Sequence, residues 1–178
     1  MKCLVLDVLA EQRTLIIGNS GSGKSTLAAR IAAKSGCRHT GLDEIYWVNQ
    51  RYLMKRGQAE AKQLAVAFSQ ESTWVIDGVF GWLVDVISPR ATLLIWLDLP
   101  WSECEASLLQ RGPVHGANEA EFNDLLAWAH LYWERKTSSS HMRHGQLFDG
   151  FTGRKLRMRA RADVETWNDA CVGQRKKI

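Results

Sequence analysis

Short apolar runs alternate along the chain with stretches whose apolar residues recur at helical spacing. Five runs predict strands, at residues 13–17, 37–42, 73–77, 91–97 and 156–159. The fourth run is the most apolar stretch of the chain, whereas Arg38 and His39 dilute the second. Strands that alternate with helices indicate an α/β fold in which helices cover both faces of a parallel sheet.

Helical patterns fill the intervals between these strands, at residues 24–34, 58–70 and 102–111 and from residues 118 and 163 onward. The first helix is predicted to end at Gly36, since glycine commonly terminates helices. Its apolar stripe is Leu27, Ala28, Ile31 and Ala32, and that of the helix from residue 118 is Phe122, Leu125, Leu126, Ala129 and Trp133. The predicted capping residues are Ser102 with Glu105, Asn118 with Glu121, and Asp163.

The glycine-rich segment GNSGSGKST, residues 18–26, joins the first strand to the first helix. It fits the phosphate-binding pattern G-x-x-x-x-G-K-[ST]. In such loops, backbone N–H groups cradle a polyphosphate, the lysine (here Lys24) reaches the β- and γ-phosphates, and the hydroxyl (here Ser25) binds Mg²⁺. The alternative is a turn that binds nothing, but the flanking strand and helix favour a nucleoside triphosphate site. The predicted nucleotide contacts are Ser20, Gly21, Ser22, Gly23, Lys24, Ser25 and Thr26.

The composition is that of an ordinary globular domain, with 46% apolar and 24% charged residues among 178. We therefore expect a single domain over residues 1–178, with an extension of unknown role at residues 1–12. A net charge of +4 suits anionic ligands without requiring nucleic acid. The four cysteines lack metal-binding or redox spacing, which favours a cytoplasmic protein, and the apolar N-terminal run is too short for a membrane span.

Aspartates end the third and fourth predicted strands, at the edge where open parallel sheets bind ligands. Asp77 follows apolar residues in the pattern of a carboxylate that holds Mg²⁺ beside a phosphate loop. The alternative for Asp77 is a simple turn. For Asp98 the turn is favoured over a metal ligand, because Pro100 follows it. We therefore predict Ser25 and Asp77 as the Mg²⁺ ligands.

A further carboxylate, Asp43, follows the second predicted strand. It is placed to accept a proton from a substrate hydroxyl while the γ-phosphoryl group is attacked. The neighbouring Tyr46 and Trp47 offer rings on which a planar substrate stacks. The alternative is that Ile45 and Trp47 pack in the core and Asp43 only caps a helix.

Together these segments resemble the small adenylate-kinase-like P-loop kinases, whose bacterial members are often labelled adenylate kinase or DNA-topology-modulation protein. The resemblance rests on the phosphate loop, on LD at 42–43 with YW at 46–47, on WVIDG at 74–78, on LIWLDLP at 94–100 and on Cys104. It extends from about residue 13 to residue 167. It implies a P-loop NTPase three-layer sandwich with a five-stranded parallel sheet, Mg-ATP as phosphoryl donor, and a helical lid after the fourth strand, at about residues 103–145.

Two departures from that family concern arginines. Relatives usually carry one just after the Asp-Gly of the third strand, but residues 79–83 are apolar and Arg90 is the only cation between Gly78 and Trp96. We therefore take Arg90 as the candidate substrate-binding cation. Relatives also carry several arginines in the lid. In this chain the corresponding residues, 103–116, contain one arginine, Arg111. Arg111 is the candidate to stabilise charge on the γ-phosphate, with a solvated helix-end role as the alternative.

The basic stretch 154–161 alternates with apolar residues, as expected of a strand with one buried face. It lacks the aromatic platform of a single-strand nucleic-acid site, so nucleic acid is a possible partner without a specific motif. The resemblance places a nucleotide-base loop at its end and makes Arg161 a candidate to stack on adenine.

The resulting hypothesis is a Mg-ATP-dependent phosphotransferase acting on a small hydroxylated or nucleotide-like acceptor. Lys24, Asp43 and Arg111 are the predicted catalytic residues, and Asp43, Trp47 and Arg90 the predicted acceptor contacts. Two alternatives remain: an ATP-binding switch or ATPase that engages DNA or a protein, and a kinase of a macromolecule.

Overall fold

A computed structural model describes residues 12–48, 54–114 and 116–172, with side chains to Trp167. Of the extension expected at residues 1–12, only Gln12 lies within this part of the chain. The five strands form one parallel sheet in the order β2-β3-β1-β4-β5. Their bounds are β1 Arg13–Gly18, β2 Arg38–Gly41, β3 Trp74–Gly78, β4 Leu93–Leu97 and β5 Arg154–Met158.

Eight α-helices connect or cover these strands in the described part of the chain. They are α1 Lys24–Ser35, α2 Leu42–Tyr46, α3 Gln58–Phe68, α4 Gly81–Ile87, α5 Trp101–Arg111, α6 Glu119–His130, α7 His141–Gly150 and α8 Arg161–Val172. None of the helices described is long and apolar enough to cross a membrane.

The sheet separates two apolar cores. On one face, α1 and α8 pack against residues such as Ile16, Val75 and Ile95. On the other face, α2, α3, α4 and α7 pack against residues such as Ile76 and Trp96. The three-layer α/β sandwich expected from the sequence is therefore confirmed. Because β3 and β4 pair in parallel with β1 on its two sides, their carboxyl ends lie beside the loop after β1.

The capping predictions had mixed outcomes. Asn118 and Glu121 form the expected reciprocal capping box at the start of α6. The prediction for Ser102 is wrong, because α5 begins one residue earlier and Pro100, already extended with φ −61° and ψ 156°, is its N-cap. Asp163 lies in the first turn of α8, where its carboxylate accepts the N–H groups of Arg159 and Ala160.

Three helices were not anticipated from the sequence, namely α2, α4 and α7. They are short, with 5, 7 and 10 residues, so their apolar periodicity is brief. The expected burial of the fifth strand is also incomplete. Met158 is buried, but Leu156 is 37% exposed because β5 is an edge strand whose middle is not covered.

Candidate functional site

The loop between β1 and α1 has the backbone of a phosphate cradle. Gly21 has φ +79°, and a Cβ there would lie 2.3 Å from the carbonyl oxygen of Cys104, so α5 packs directly against the loop. Gly23, with φ +90°, is the N-cap of α1, and no side chain caps that helix. The first N–H groups of α1 are consequently left for an anionic ligand.

Lys24 is nearly buried at the start of α1, and its ammonium donates a hydrogen bond to the Asn19 carbonyl oxygen at 2.7 Å. Burial lowers the pKa of Lys24, while the charges of Asp77 and Asp43 oppose this and that of Arg111 adds to it. Asp43, Asp77 and Arg111 are therefore all close enough to Lys24 to influence its charge, and Arg111 is exposed at the end of α5.

The remaining loop residues line the same cradle. The Asn19 side chain accepts the N–H of Ser20 at 2.9 Å and donates to the Ala129 carbonyl oxygen of α6 at 2.9 Å. The hydroxyl of Ser22 is buried without a partner, whereas Ser25 and Thr26 are exposed on the first turn of α1. Ser25, whose hydroxyl the sequence assigns to Mg²⁺, is thus an exposed residue at the start of α1.

Asp77 is 3% exposed and receives a hydrogen bond on each carboxylate oxygen. Ser25 Oγ donates to Oδ2 at 2.8 Å, and His39 Nε2 lies 2.6 Å from Oδ1. The bond to Asp77 raises the pKa of His39. The predicted pair of Ser25 and Asp77 therefore does meet, and it presents the oxygen donors that Mg²⁺ prefers.

No group of three or more His, Cys, Asp or Glu side chains that could hold a metal ion occurs among the residues described. Mg²⁺ usually keeps several water ligands and takes phosphate oxygens beside one or two protein donors. The Ser25 hydroxyl and the Asp77 carboxylate, joined by a hydrogen bond, are two such protein donors and fit that requirement.

Asp43 lies half-buried in the first turn of α2, and Tyr46, three residues later in the same helix, belongs to a cluster of aromatic rings. The Tyr46 ring is at the centre of this cluster, with centroids 5.2 Å from Trp47, 4.8 Å from Phe80 and 5.4 Å from Trp82. We call these four side chains the aromatic wall.

A basic segment borders the aromatic wall. The Lys55 ammonium lies 5.4 Å from the Trp47 ring centroid. The Arg56 guanidinium donates to the carbonyl oxygens of Glu44, Ile45 and Trp47. Arg56 therefore fixes the backbone that carries Trp47, while Lys55 covers its ring.

Arg161 joins three parts of the structure at the phosphate loop. Its guanidinium donates to the Ser22 carbonyl oxygen at 3.1 Å and to Ser107 Oγ of α5 at 2.8 Å. Its backbone N–H donates to the Glu103 carboxylate at 2.9 Å. Arg161 thus lies against the phosphate loop, bonded to both the loop and α5.

The structure does not bring Arg90 to this site. Its guanidinium donates to the Ser69 carbonyl oxygen at 3.1 Å, and it precedes β4. Since all strands are parallel, Arg90 lies at the amino edge of the sheet, opposite the phosphate loop. The expectation that Arg90 contacts the acceptor is therefore wrong. The segment from Gly78 to Trp96 returns from the carboxyl edge of the sheet to the amino edge before β4 begins. Closeness in sequence to Gly78 therefore did not place Arg90 near the site.

Sequence reasoning missed the contact between His39 and Asp77, and it expected only a surface or hydrogen-bonding role for His144. His39 appeared only as a polar residue weakening a strand, although strand alternation places it on the same face as Gly41, two residues on. His144 is fully buried on α7, where Nε2 donates to the Val79 carbonyl oxygen at 3.0 Å and Nδ1 accepts the Tyr132 hydroxyl at 2.6 Å. Burial lowers the pKa of His144 to about 3, so this histidine is neutral and ties α7 to the end of β3.

Comparison with known proteins identifies the fold. No protein-family model matches the chain, and no curated protein matches its sequence. Among solved structures, a gluconokinase from Sinorhizobium meliloti is similar with a TM-score of 0.56 at 14% identity, over 93% of this chain and 93% of that chain. A sugar kinase from a Janibacter species gives 0.55 at 13% identity, over 91% and 92%. A shikimate kinase from Bacteroides thetaiotaomicron gives 0.51 at 17% identity, over 91% and 96%. The chain therefore shares its fold with these three small-molecule kinases.

Proposed function

We propose that this chain is a Mg-ATP-dependent phosphotransferase of the adenylate-kinase-like P-loop class, acting in the cytoplasm on a small hydroxylated acceptor. The observation that carries the proposal is the buried Lys24 and the Ser25–Asp77 hydrogen bond at the phosphate loop, with Asp43 close enough to act on the charge of Lys24. A nucleotide-binding loop needs only the lysine, the hydroxyl and one carboxylate. The second carboxylate, Asp43, is the group that a phosphoryl acceptor requires.

The donor side of the site follows from the loop. The N–H groups at the start of α1 and the ammonium of Lys24 face the phosphates of ATP. Arg161 lies where the resemblance puts the adenine ring, and Arg111 extends from the end of α5, within the segment proposed as the lid. Mg²⁺ held by Ser25 and Asp77 would supply positive charge to the phosphate oxygens.

On the acceptor side, Asp43 acts as the general base. A bond forms between the acceptor oxygen and the γ-phosphorus while the bond from that phosphorus to the bridging oxygen of ADP breaks. The hydroxyl proton passes to the Asp43 carboxylate, and ADP is the leaving group. The aromatic wall beside Asp43 favours an acceptor with a ring, such as a nucleotide-like molecule. The names gluconokinase and shikimate kinase also fit a small-molecule acceptor.

A screen for ADP release tests this function. Purified protein with Mg-ATP is offered nucleosides, nucleotides, sugars and small metabolites, and ADP is measured against the rate without acceptor. We expect at least one acceptor to raise the rate, and Lys24→Ala to abolish the increase, because the lysine charge stabilises the transferring group. ADP release that no acceptor changes would favour the ATP-binding switch or ATPase instead.

With an acceptor in hand, Asp43→Asn tests the base. Turnover should fall by roughly a hundredfold to ten-thousandfold, the range typical of general-base catalysis, while ATP affinity stays unchanged. Glu44→Gln, one residue along the same helix turn, is the matched control and should retain activity. Equal losses in both variants would show that α2 needs negative charge in general, and loss of ATP affinity would place Asp43 in the nucleotide site.

A further inference from the structure

The two oxygens of the Asp77 carboxylate have different partners, and this difference indicates a role for His39. Oδ2 accepts the Ser25 hydroxyl at 2.8 Å, and Oδ1 lies 2.6 Å from His39 Nε2. A carboxylate only accepts hydrogen bonds, so Nε2 carries the proton and His39 is the donor. The partner on one oxygen is a hydroxyl of the phosphate loop, whereas the partner on the other is an imidazole from a neighbouring strand.

Strand register explains why His39 reaches Asp77. In the pairing of β2 with β3, His39 lies opposite Val75 and Gly41 lies opposite Asp77. Residues two apart along a strand share a face, so His39 and Asp77 lie on the same face of the sheet. The neighbouring Cys37 and Val75 pack into the core that α1 covers. The first turn of α1 supplies Ser25 from that same side. Three elements therefore meet at one buried carboxylate.

The surroundings of this contact include Gly41 and the Glu44 carboxylate. Gly41 lies between His39 and α2 along the chain, and a Cβ placed on it would lie 3.4 Å from Glu44 Oε1 and 3.9 Å from Asp77 Oδ1, both ordinary van der Waals distances. The imidazole approaches that same oxygen from two residues earlier in β2. His39 itself keeps 23% of its side chain exposed, while Asp77 is 3% exposed. His39 is thus one end of a chain of contacts that leads from Ser25 through the buried Asp77.

We infer that His39 is a positioning residue for the Mg²⁺-binding carboxylate: it holds Oδ1 of Asp77 and thereby keeps Oδ2 directed at Ser25, where the ion and the phosphate oxygens meet. The inference rests on the proposed Mg-ATP site and adds a residue that does not touch the nucleotide. Hydrogen-bond partners of metal ligands commonly change metal affinity or activity by about 10- to 100-fold when they are removed.

The test compares His39→Leu with His39→Gln in the full-length protein. Leucine removes the donor, whereas the glutamine amide reaches about as far as Nε2 and restores an N–H donor. For each protein, ATP binding is measured by calorimetry in EDTA and then at increasing Mg²⁺ concentrations. His141→Leu is the matched control, because it removes a histidine bonded to another aspartate, Asp98, at 2.9 Å.

We expect His39→Leu to raise the Mg²⁺ concentration for half-maximal enhancement of ATP binding by about 10- to 100-fold. Binding in EDTA should be unchanged, His39→Gln should recover most of the loss, and His141→Leu should behave like the native protein. If the leucine variant does not fold, His39→Asn replaces it, since the asparagine amide is too short to reach Asp77 and the same loss is expected.

Two outcomes would overturn the role of His39 and leave the proposed function standing. One is an unchanged Mg²⁺ requirement in the leucine and asparagine variants. The other is an equal loss of ATP binding in EDTA and in Mg²⁺, which would indicate a purely structural contact. Glutamine that fails to restore binding would likewise contradict positioning through the hydrogen bond. A native protein whose ATP binding does not respond to Mg²⁺ would instead overturn the proposed function, and the role of His39 with it.

Discussion

The carboxyl ends of β3 and β4 present the same pair of side chains in two settings. Asp77 at the end of β3 is bonded to His39, and Asp98 just after β4 is bonded to His141. Both carboxylates are mostly buried, with 3% and 10% of their side chains exposed. From the sequence, both were possible metal ligands, with Asp77 preferred.

The third partner distinguishes the two aspartates. Two nitrogens of the Arg157 guanidinium donate to Asp98 Oδ2, at 2.9 and 2.7 Å, so that oxygen is engaged by a bidentate ion pair. The guanidinium also lies 4.1 Å from the Trp96 ring centroid, which fixes it further. On Asp77 the corresponding oxygen accepts only the neutral hydroxyl of Ser25. A cation can approach Oδ2 of Asp77 without displacing a guanidinium, whereas Asp98 holds Arg157 of β5 and His141 of α7.

The largest expected effect separates the two aspartates by their response to metal. Asp77→Asn should weaken the Mg²⁺-dependent part of ATP binding by on the order of a hundredfold, since it removes a ligand charge and keeps the shape. Asp98→Asn should leave that part unchanged. Calorimetry with and without EDTA measures both. The comparison fails if Asp98→Asn has the larger effect, because Asp98 would then be the metal ligand.

A smaller effect is expected on stability, and here the Asp98 variant is the one that changes. Asp98→Asn should lower the free energy of unfolding of the unliganded protein by about 1–3 kcal/mol, because it removes the charge of a mostly buried carboxylate that accepts two hydrogen bonds from Arg157. Arg157→Lys, which keeps the charge but not the two-pronged geometry, should cost less. Urea unfolding followed by tryptophan fluorescence provides the measurement. No change in either variant would show that the Asp98 pair does not fasten the edge of the sheet.

The smallest expected effect is the pH dependence that the His39–Asp77 hydrogen bond adds to the free energy of unfolding. The bond to Asp77 raises the pKa of His39 above its ordinary value of 6.5, so the folded protein binds this proton more tightly than the unfolded chain. The stabilisation is complete below pH 6.5 and is lost as the pH rises through the pKa of the folded state. His39→Gln keeps the bond but does not titrate. The difference in unfolding free energy between native and His39→Gln protein should therefore shrink as the pH rises above 6.5; a constant or growing difference contradicts this.

Much of the fold and the donor side of the site could be predicted from local patterns. The phosphate loop is a contiguous segment with its own backbone requirements, so its residues could be assigned before any contact was known. The buried strands β3 and β4 were recognisable because strands covered on both faces are apolar throughout. The carboxylates Asp43 and Asp77 were recognisable because parallel strands bring their carboxyl ends to one edge.

Only the tertiary structure decided which partners these groups have. The sequence by itself determined a phosphate loop, a parallel sheet and two aspartates at strand ends, since each depends on neighbouring residues. It did not determine that His39 bonds Asp77, that Arg157 neutralises Asp98, or that Arg90 lies at the opposite edge of the sheet. Those facts depend on strand order and register, which bring residues tens of positions apart within hydrogen-bond distance. A hydrogen bond or ion pair of this kind acts over a few ångströms, so its members cannot be read from spacing along the chain.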